Sequence, residues 1–312
     1  MKQDSSAGSQ PLNAASLSIV LLTSALWGGT PVAVTFAAVS LPPIAIAAVR
    51  FSLGAVFMLF WCWFGGTPLR LGSGQLRISL VAGVLLFVQI ATFNVGIAWS
   101  NASHATMMIN TFVFGVIGIE HFVTKTDRLT LRKLKGLLLA TVGIMLMLTR
   151  DADQTQTKVQ QDLPSLAGDL LILLSAFLLS VRIVYVKYAL RRIEPGKLIL
   201  WHDIIGVVLF IGYSALFEQI EPQRMTLPAI IGLAYQGLLV AGLCFALQTQ
   251  LLRKHSASQL SMFSFSTPLF GIYFASIFLS DPLSPWLLLA GGCIAAGIYL
   301  VSTRRRSTVN AA

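Results

Sequence analysis

The chain contains 312 residues, of which 55% are hydrophobic and only 11% are charged, and its mean hydropathy is +0.77. Soluble domains typically carry about 25% charged residues, so this composition excludes an ordinary globular protein. Apolar runs of roughly 18 or more residues, long enough to cross a ~30 Å hydrocarbon core as helices, recur throughout the sequence. A formal net charge of +10 would suggest nucleic acid as the partner of a soluble protein. Here the basic residues lie in the predicted loops, so membrane topology explains them and no nucleic-acid partner is expected.

Three cysteines, Cys62, Cys244 and Cys293, lie inside apolar runs and show no metal-binding or redox spacing. They are expected to pack between helices, and the sequence indicates no cofactor and no metal. A membrane β-barrel would need alternating segments of about ten residues, a pattern that the sequence does not show. The apolar runs are therefore predicted to be helices.

Residues 1–14 are polar, rich in Ser and Gln, and predict a disordered tail. The apolar run that follows, residues 17–39, is too long for the hydrophobic region of a signal peptide. We therefore expect it to remain in the protein as the first membrane helix. Gly28-Gly29 and Pro31 fall within this run and predict a kink, because such residues weaken the ladder of helical hydrogen bonds.

Nine further helices are predicted along the chain. They cover residues 42–64, 76–98, 102–124, 134–148, 166–190, 198–216, 227–252, 258–280 and 285–301. The ten helices divide into a first repeat at 15–149 and a second repeat at 165–303, separated by a polar linker at 150–164. The chain closes with a basic tail at 304–312, which contains three consecutive arginines.

Residues 102–146 and 257–302 share one design, in which an apolar run, a short polar turn and a second apolar run follow one another. When the two stretches are aligned, Asp127 falls on Asp281. The first turn is heavily basic, whereas the second contains no basic residue. Lys and Arg concentrate in cytoplasmic loops, so one basic copy and one copy without basic residues indicate an inverted repeat, an architecture typical of carriers.

Each repeat contains five helices, and an odd number places the second repeat in the opposite orientation. The sequence therefore predicts an all-α integral membrane protein with ten transmembrane helices arranged as two inverted five-helix repeats. Counted by loop, seventeen basic residues fall on one side of the membrane and three on the other. This bias predicts a multi-pass protein of the cell (inner) membrane with both termini in the cytoplasm.

A set of short sequences carries a resemblance to a known family. They are Trp27-Gly28 with Pro31, Arg50-Phe51 followed by Gly54-Ala55, Gly168-Asp169-Leu170-Leu171, Pro268 and the glycine-rich last helices. In this order and on this duplicated architecture, the chain resembles the drug/metabolite transporter (DMT) superfamily, EamA-like branch, over nearly its whole length. The resemblance implies a secondary carrier that moves small organic solutes, often outward, by alternating access.

The chain departs from that family at three places. Such repeats commonly carry a Gly-Glu pair before the turns at which Asp127 and Asp281 stand here. Val113 replaces the usual proline of the fourth helix, and Arg182 stands where the sixth helix often has an aromatic residue. These departures leave the substrate open.

Arg182, about two turns from the predicted cytoplasmic end of the sixth helix, is the main candidate for binding substrate. Ionisable groups inside membrane helices are costly, so they usually line a cavity or pair internally. Arg182 can bind a carboxylate or phosphate of the substrate, and Tyr185 falls near the same helix face. The alternative is that Arg182 reaches the membrane interface or pairs with Asp203 on the seventh helix.

Other residues are candidates for coupling or gating. Arg50 can guide anions near the external side, or it can bind backbone carbonyls and helix ends. Glu120-His121 and Asp203 can couple transport to protons, since His titrates near neutral pH, or they can serve interfacial roles. Pro268 in the ninth helix is a further gating candidate.

Uncharged polar and aromatic residues inside the helices complete the candidate binding set. They are Trp27, Asn110, Tyr235, Ser264 and Ser266. Carriers bind solutes near the membrane midplane with such residues, although each alone is more often a helix-packing contact. Trp27 and Tyr235 can also stack on a planar solute.

An intramembrane enzyme and a structural subunit are the rival classes. The four histidines show no HxxxH or HExxH spacing and no GxSxG sequence occurs, so the chain is not expected to be an enzyme. A carrier of an amino acid or organic acid fits Arg182 and Arg50 best, with a neutral metabolite or a cationic drug as the alternative. The expected partners are a small-molecule substrate, the lipid bilayer and, as a candidate coupling ion, protons. The chain is expected to be a monomer or a homodimer.

Overall fold

A computed structural model describes residues 12–100, 108–155, 166–220, 225–279 and 286–302. Within these ranges the chain forms ten helices and no strand. The helices are α1 (Ala14–Ala38), α2 (Pro43–Phe64), α3 (Gln75–Trp99), α4 (Phe112–Val123), α5 (Leu131–Thr155), α6 (Leu166–Ala189), α7 (Pro195–Phe217), α8 (Leu227–Lys254), α9 (Ala257–Leu279) and α10 (Trp286–Ser302). The aligned residue Asp281, the tail at 1–11 and the tail at 303–312 lie outside the described residues.

The described helices match the ten predicted spans. Seven of them, α1–α3 and α6–α9, are long and apolar enough to cross a membrane, and α4 is apolar but shorter. Two spans differ from their predictions: a turn at 110–111 precedes α4 inside the span predicted at 102–124, and α5 continues to Thr155 and enters the linker expected at 150–164. Residues 149–155 contain no Gly or Pro that would end a helix, and polar residues can extend one where its backbone is no longer in lipid.

Helix α1 is interrupted in the middle, which confirms the predicted kink. Its two parts, Ala14–Gly28 and Thr30–Ala38, meet at Gly29. A side chain on Gly28 would place its Cβ 2.6 Å from the Cβ of Phe270 and 2.9 Å from the backbone of Gly271. Helix α9 therefore approaches the kink of α1 at a distance that only glycine allows.

Three helices depart from α-helical geometry in their interior or last turn. Helix α8 is a π-helix over Tyr235–Cys244, and α4 ends in a π-turn at Ile119–Val123. Helix α9 contains one 3-10 turn at Ser264–Ser266, two residues before Pro268. Such segments frequently occur at functional sites, because they redirect side chains and leave backbone groups with altered partners.

The helices pack in matched pairs that relate one half of the chain to the other. Helix α2 packs on α8 as α7 packs on α3, and α1 packs on α9 as α6 packs on α4. Helix α3 packs on α6 as α8 packs on α1, and the large contacts of α2 with α7 and of α5 with α10 join corresponding helices of the two halves. This pattern is that of two five-helix repeats related by a pseudo-two-fold axis, and the odd number of helices gives the repeats opposite orientations.

Four loops rich in basic residues meet at one end of the bundle, which we call the basic end. Gln75 donates to the carbonyl of Arg192 at 2.7 Å, and Lys197 donates to the carbonyl of Arg70 at 3.1 Å. The loop between α4 and α5 joins the start of α9 through a hydrogen bond between Ser258 and Asp127. The positive charge of the chain is therefore concentrated at one end of the described helices.

Candidate functional site

Arg50 and Arg182 approach each other in the middle of the bundle. Arg50 lies seven residues after the start of α2, and Arg182 lies seven residues before the end of α6, about 10 Å from opposite ends of the bundle. Arg182 is only 9% exposed. The two guanidinium groups are close enough to repel each other, and both are attracted by Asp203 on α7. Three helices thus bring charged groups together at the depth where carriers bind solutes.

Asp203 is the acidic side chain of this cluster. Its side chain is fully buried, and one carboxylate oxygen, Oδ1, lies 2.8 Å from Nδ1 of the neighbouring His202. The second oxygen, Oδ2, lies beside Gly54 on α2, since a Cβ added to that glycine would be 3.4 Å away. Gly54 follows Arg50 by one helical turn, so Oδ2 and the Arg50 side chain share one face of α2.

Several polar atoms of the cluster lack partners. Within the described part of the chain, no hydrogen bond is made by Nη1 of Arg182, Nε of Arg50 or Oδ2 of Asp203. Gln236, on the π-helical part of α8, is fully buried and neither atom of its amide is paired within those ranges. Buried polar groups are normally hydrogen-bonded, so these atoms mark a place that is completed by a ligand or by water.

Aromatic rings form the walls around the charges. The guanidinium carbon of Arg182 stands 5.6 Å from the ring centre of Phe245, and that of Arg50 stands 5.2 Å from the ring of Phe51. The ring of Phe245 also lies 6.1 Å from Phe51 and 6.4 Å from Trp27. The rings hold the guanidinium groups through cation–π contacts.

A second polar cluster lies at the basic end, where Glu120 binds the start of α9. The fully buried carboxylate of Glu120 accepts hydrogen bonds from the backbone of Ala257 at 3.1 Å and of Ser258 at 2.8 Å. It also accepts one from Nζ of Lys187 on α6 at 3.0 Å. Ser256 caps the next backbone group of α9, that of Gln259. Glu120 therefore joins α4 to both α6 and α9 and faces the positive end of the α9 dipole.

Asp127, in the loop after α4, extends this second cluster. It accepts hydrogen bonds from Lys133 and from the hydroxyl of Ser258. Partial burial disfavours its carboxylate, but these hydrogen bonds and the charge of Lys133 lower the pKa of Asp127 below its ordinary value. His121 lies nearby, and its Nδ1 accepts a hydrogen bond from the backbone of Leu129 at 3.1 Å. These contacts fix the loop between α4 and α5 against α9.

Tyr185, the predicted companion of Arg182, makes its contact elsewhere. The hydroxyl of Tyr185 donates to the carbonyl of Ile78 on α3 at 3.1 Å. Ser175, on the same face of α6, exchanges hydrogen bonds of 3.0 and 2.8 Å with Gln89 of α3. That face of α6 therefore packs on α3. The role of Tyr185 as a substrate ligand stays a prediction.

The remaining predicted residues lie at the interruptions of the helices. Tyr235 begins the π-helical part of α8, and its hydroxyl donates to the carbonyl of Leu26 at 2.6 Å, next to the kink of α1. Ser264 and Ser266 form the 3-10 turn of α9, and the Ser266 hydroxyl bonds the carbonyl of Phe263. Asn110 lies in the turn that precedes α4.

Phe245 and Gln89 are among the residues of the bundle interior that the predicted set lacks. Phe245 contacts Arg182, His202 and Trp27, yet one aromatic residue in an apolar run carries no signal in the sequence. Gln89 is buried on α3, and its Oε1 has no partner among the described residues. A polar amide inside an apolar helix is the same kind of signal as the charge of Arg182, so the sequence also indicates Gln89 as a candidate.

A separate groove opens on the side of the bundle between α2 and α8. It has a volume of about 670 Å³ and is lined by Val56, Phe57, Phe60, Trp61, Phe64, Gly65, Leu238 and Gln250. Its lining is almost wholly apolar and contains none of the charged residues of the central cluster. The groove is therefore separate from the charged cluster, and its lining suits contact with hydrocarbon rather than with a charged solute.

Comparison with known proteins identifies the family. The model of the EamA-like transporter family matches residues 15–149 and 166–303. The chain belongs to the EamA-like transporter family. A solved crystal structure resembles it with a TM-score of 0.78 at 15% sequence identity, and the match covers 93% of this chain and 97% of the other. The predicted resemblance is thereby confirmed.

Relatives of the EamA-family chain are named as transporters. The uncharacterized transporter YoaV of Bacillus subtilis is 22% identical over 284 residues, covering 90% of this chain and 94% of its own. A probable amino-acid metabolite efflux pump of Salmonella typhimurium is 23% identical over 291 residues, covering 90% of this chain and 93% of its own. The EamA-family chain is therefore a membrane transporter and not an enzyme.

Proposed function

We propose that this EamA-family transporter is a secondary carrier of a small organic solute with a carboxylate group, an amino acid or an organic acid, which it moves outward by alternating access. The observation that carries the proposal is the pair of arginines in the middle of the bundle, the buried Arg182 and the partly buried Arg50, each with a buried N–H that is unpaired among the described residues. A guanidinium group is the side chain best suited to a carboxylate, since it offers several donors in one plane.

The energetics of burial favour a ligand at this place. An unpaired charged group in a buried site costs several kcal/mol, and the two arginines also repel each other. Asp203 offsets only one of the two positive charges. A substrate carboxylate bound to Arg182 would neutralise the excess charge and use its unpaired Nη1 donor, so the site favours solutes with a negative group.

Outward transport and orientation are parts of the same proposal. The charge bias supports a cytoplasmic location of the basic end and of both termini. The name of the Salmonella relative supports export, because it describes an efflux pump. Protons are the proposed coupling ion, and the Glu120 and Asp203 clusters are the candidate sites for them.

Counterflow in proteoliposomes tests the proposal. We would compare wild type with Arg182→Lys, which keeps the charge, and Arg182→Gln, which removes it, over a panel of amino acids, organic acids, sugars and amines. Arg253→Gln is the matched control, since Arg253 is an exposed arginine at the basic end that pairs with exposed Glu194. We expect saturable exchange of carboxylate solutes, weakened about 10-fold or more in Arg182→Gln and retained in the control.

The opposite results would contradict the proposal in distinct ways. Exchange of neutral or cationic solutes that survives Arg182→Gln would support the alternative, a carrier of neutral metabolites or cationic drugs. Exchange of carboxylates that is unchanged in a folded Arg182→Gln protein would remove Arg182 from the binding site.

A further inference from the structure

The central cluster contains buried charges of both signs that do not bond to each other. Asp203 is fully buried and Arg182 is 91% buried, and each senses the charge of the other. Among the described residues, however, no hydrogen bond joins Asp203 to Arg182 or Arg50, and each of the three retains an unpaired polar atom. Asp203 bonds instead to His202, its neighbour in the sequence.

This arrangement is unusual for a buried aspartate close to two arginines. Carboxylate and guanidinium groups that share a low-dielectric interior normally form a direct bidentate pair, because each charge is otherwise left without compensation. Separated charges with free atoms suit a ligand that places itself between them. Such a ligand must itself carry both a negative and a positive group.

We propose that Asp203 receives the ammonium group of a zwitterionic substrate whose carboxylate lies on Arg182. The inference rests on the proposed function and deepens it, since it selects α-amino acids over simple carboxylic acids. In an α-amino acid the two charged groups are attached to the same carbon. One molecule can therefore satisfy Oδ2 of Asp203 and Nη1 of Arg182 together, and it leaves the single excess positive charge of the cluster, that of Arg50, unchanged.

The position of Oδ2 supports this role. Gly54 lets α2 approach this oxygen closely, because a Cβ at this residue would lie 3.4 Å from Oδ2 and would clash with the Cβ of Ala241 at 2.9 Å. The other oxygen is held by His202, whose ring stands 6.1 Å from Phe245 and is fixed there. Oδ1 is therefore committed to the protein, whereas Oδ2 is directed to the face of α2 that carries Arg50.

The surroundings also restrict the rest of the substrate. Phe245, Phe51 and Trp27 form an aromatic wall with ring centres 6.1 and 6.4 Å apart around Phe245. An apolar side chain can pack on this wall, and cation–π contacts already occupy the guanidinium faces. A dicarboxylate would bring a second negative group towards Asp203 and be repelled. The structure thus favours an amino acid with an apolar side chain.

The test compares two compounds that differ in the amino group alone, leucine and 4-methylpentanoate. Each is used as a competitor in counterflow, and its inhibition constant is measured for wild type, Asp203→Asn and Arg182→Gln. Glu194→Gln, which removes an exposed carboxylate, is the matched control. We expect wild type to prefer leucine at least about 10-fold, since a hydrogen bond between charged groups contributes that much.

The variants separate this inference from the proposed function. In Asp203→Asn we expect leucine to lose its advantage, so that the two constants agree within about threefold, while 4-methylpentanoate binds no more weakly than before. Arg182→Gln should weaken both compounds. A leucine preference that persists in a folded Asp203→Asn protein would overturn the role of Asp203 and leave the carboxylate carrier intact.

The two inhibition constants of wild type alone provide a second test, which does not depend on the folding of any variant. Equal inhibition by the two compounds would refute the zwitterion inference without contradicting a carboxylate carrier. Inhibition by neither compound would count against both proposals.

Discussion

The buried carboxylate of Glu120 offers a quantitative test of how the basic end is held together. Replacing Glu120 with Gln keeps the size of the side chain and removes its charge. The carboxylate now accepts hydrogen bonds from Ala257, Ser258 and Lys187. The amide keeps one oxygen as an acceptor and turns its NH₂ group towards one of these donors.

The expected cost follows from these contacts. A hydrogen bond to a charged group contributes about 1.5–3 kcal/mol, and breaking a buried ion pair costs about 3–5 kcal/mol. The side chain of Lys187 is 17% exposed, so water compensates it in part and the lower part of this range applies. We expect Glu120→Gln to lower the free energy of unfolding by about 2–4 kcal/mol.

Glu218 provides a matched control at the opposite end. Its two oxygens accept hydrogen bonds of 2.8 Å from the backbone of Ile44 and Ala45, which caps α2 as Glu120 caps α9. Glu218 is only partly buried, and no lysine bonds to it among the described residues. Loss of a helix cap costs about 0.5–2 kcal/mol, so Glu218→Gln should be the milder change.

Thermal unfolding of the purified protein in detergent, followed by circular dichroism, measures both variants. A change of 1 kcal/mol shifts the midpoint by about 2–4 °C in domains of moderate size. We expect the midpoint of Glu120→Gln to fall clearly further than that of Glu218→Gln. Lys187→Met should lower the free energy of unfolding by less in the Glu120→Gln background than in wild type. Equal midpoints for the two glutamine variants, or additive effects with Lys187→Met, would refute this account.

Three further predictions follow from the described contacts. Gly54→Val should weaken substrate exchange more than Gly212→Val, and the exchange rates of the two variants measure the difference. A side chain at Gly54 would contact Ala241 and Asp203, whereas a side chain at Gly212 would enter open space. Asp127→Asn should destabilise the protein at neutral pH but match wild type well below pH ~4. Because the pKa of Asp127 is lowered in the folded protein, the stabilisation by its carboxylate is complete above the unfolded pKa of ~3.9 and is lost as pH falls through the folded pKa. Melting curves recorded against pH measure this difference. A reporter that is active only in the periplasm should stay inactive after Ala312, and an active fusion would contradict the proposed orientation.

Much of the architecture was predictable from the sequence. The ten helices follow from apolar runs of membrane length, and the break in α1 follows from its glycines and proline. The end of α5 was not predictable from hydropathy, because a helix can continue beyond the apolar core wherever nothing ends it. The π-helical part of α8 and the 3-10 turn of α9 depend on how neighbouring helices pack, which no local pattern records.

The candidate site was predictable in its charges but not in its contacts. Arg182 and Asp203 were identified because charges inside apolar helices are costly. The helical spacing placed Tyr185 near the face of Arg182, yet Tyr185 bonds α3, since a difference of about 60° around a helix is enough to reach another neighbour. The contacts of Phe245 with the central cluster follow only from the packing of α8 beside α2, α6 and α7.

The two arginines and one aspartate also give the carrier a sensitivity to voltage. The three side chains leave one excess positive charge near the centre of the bundle. A membrane potential of 100 mV acts on one elementary charge with up to ~2.3 kcal/mol, and the proposed alternating-access cycle would move this field across the charge as each side opens. A potential that is negative inside therefore favours the conformation that faces the cytoplasm. A zwitterion leaves this bias unchanged, whereas an anion cancels it, so the current–voltage behaviour of the loaded carrier reports the charge of its cargo.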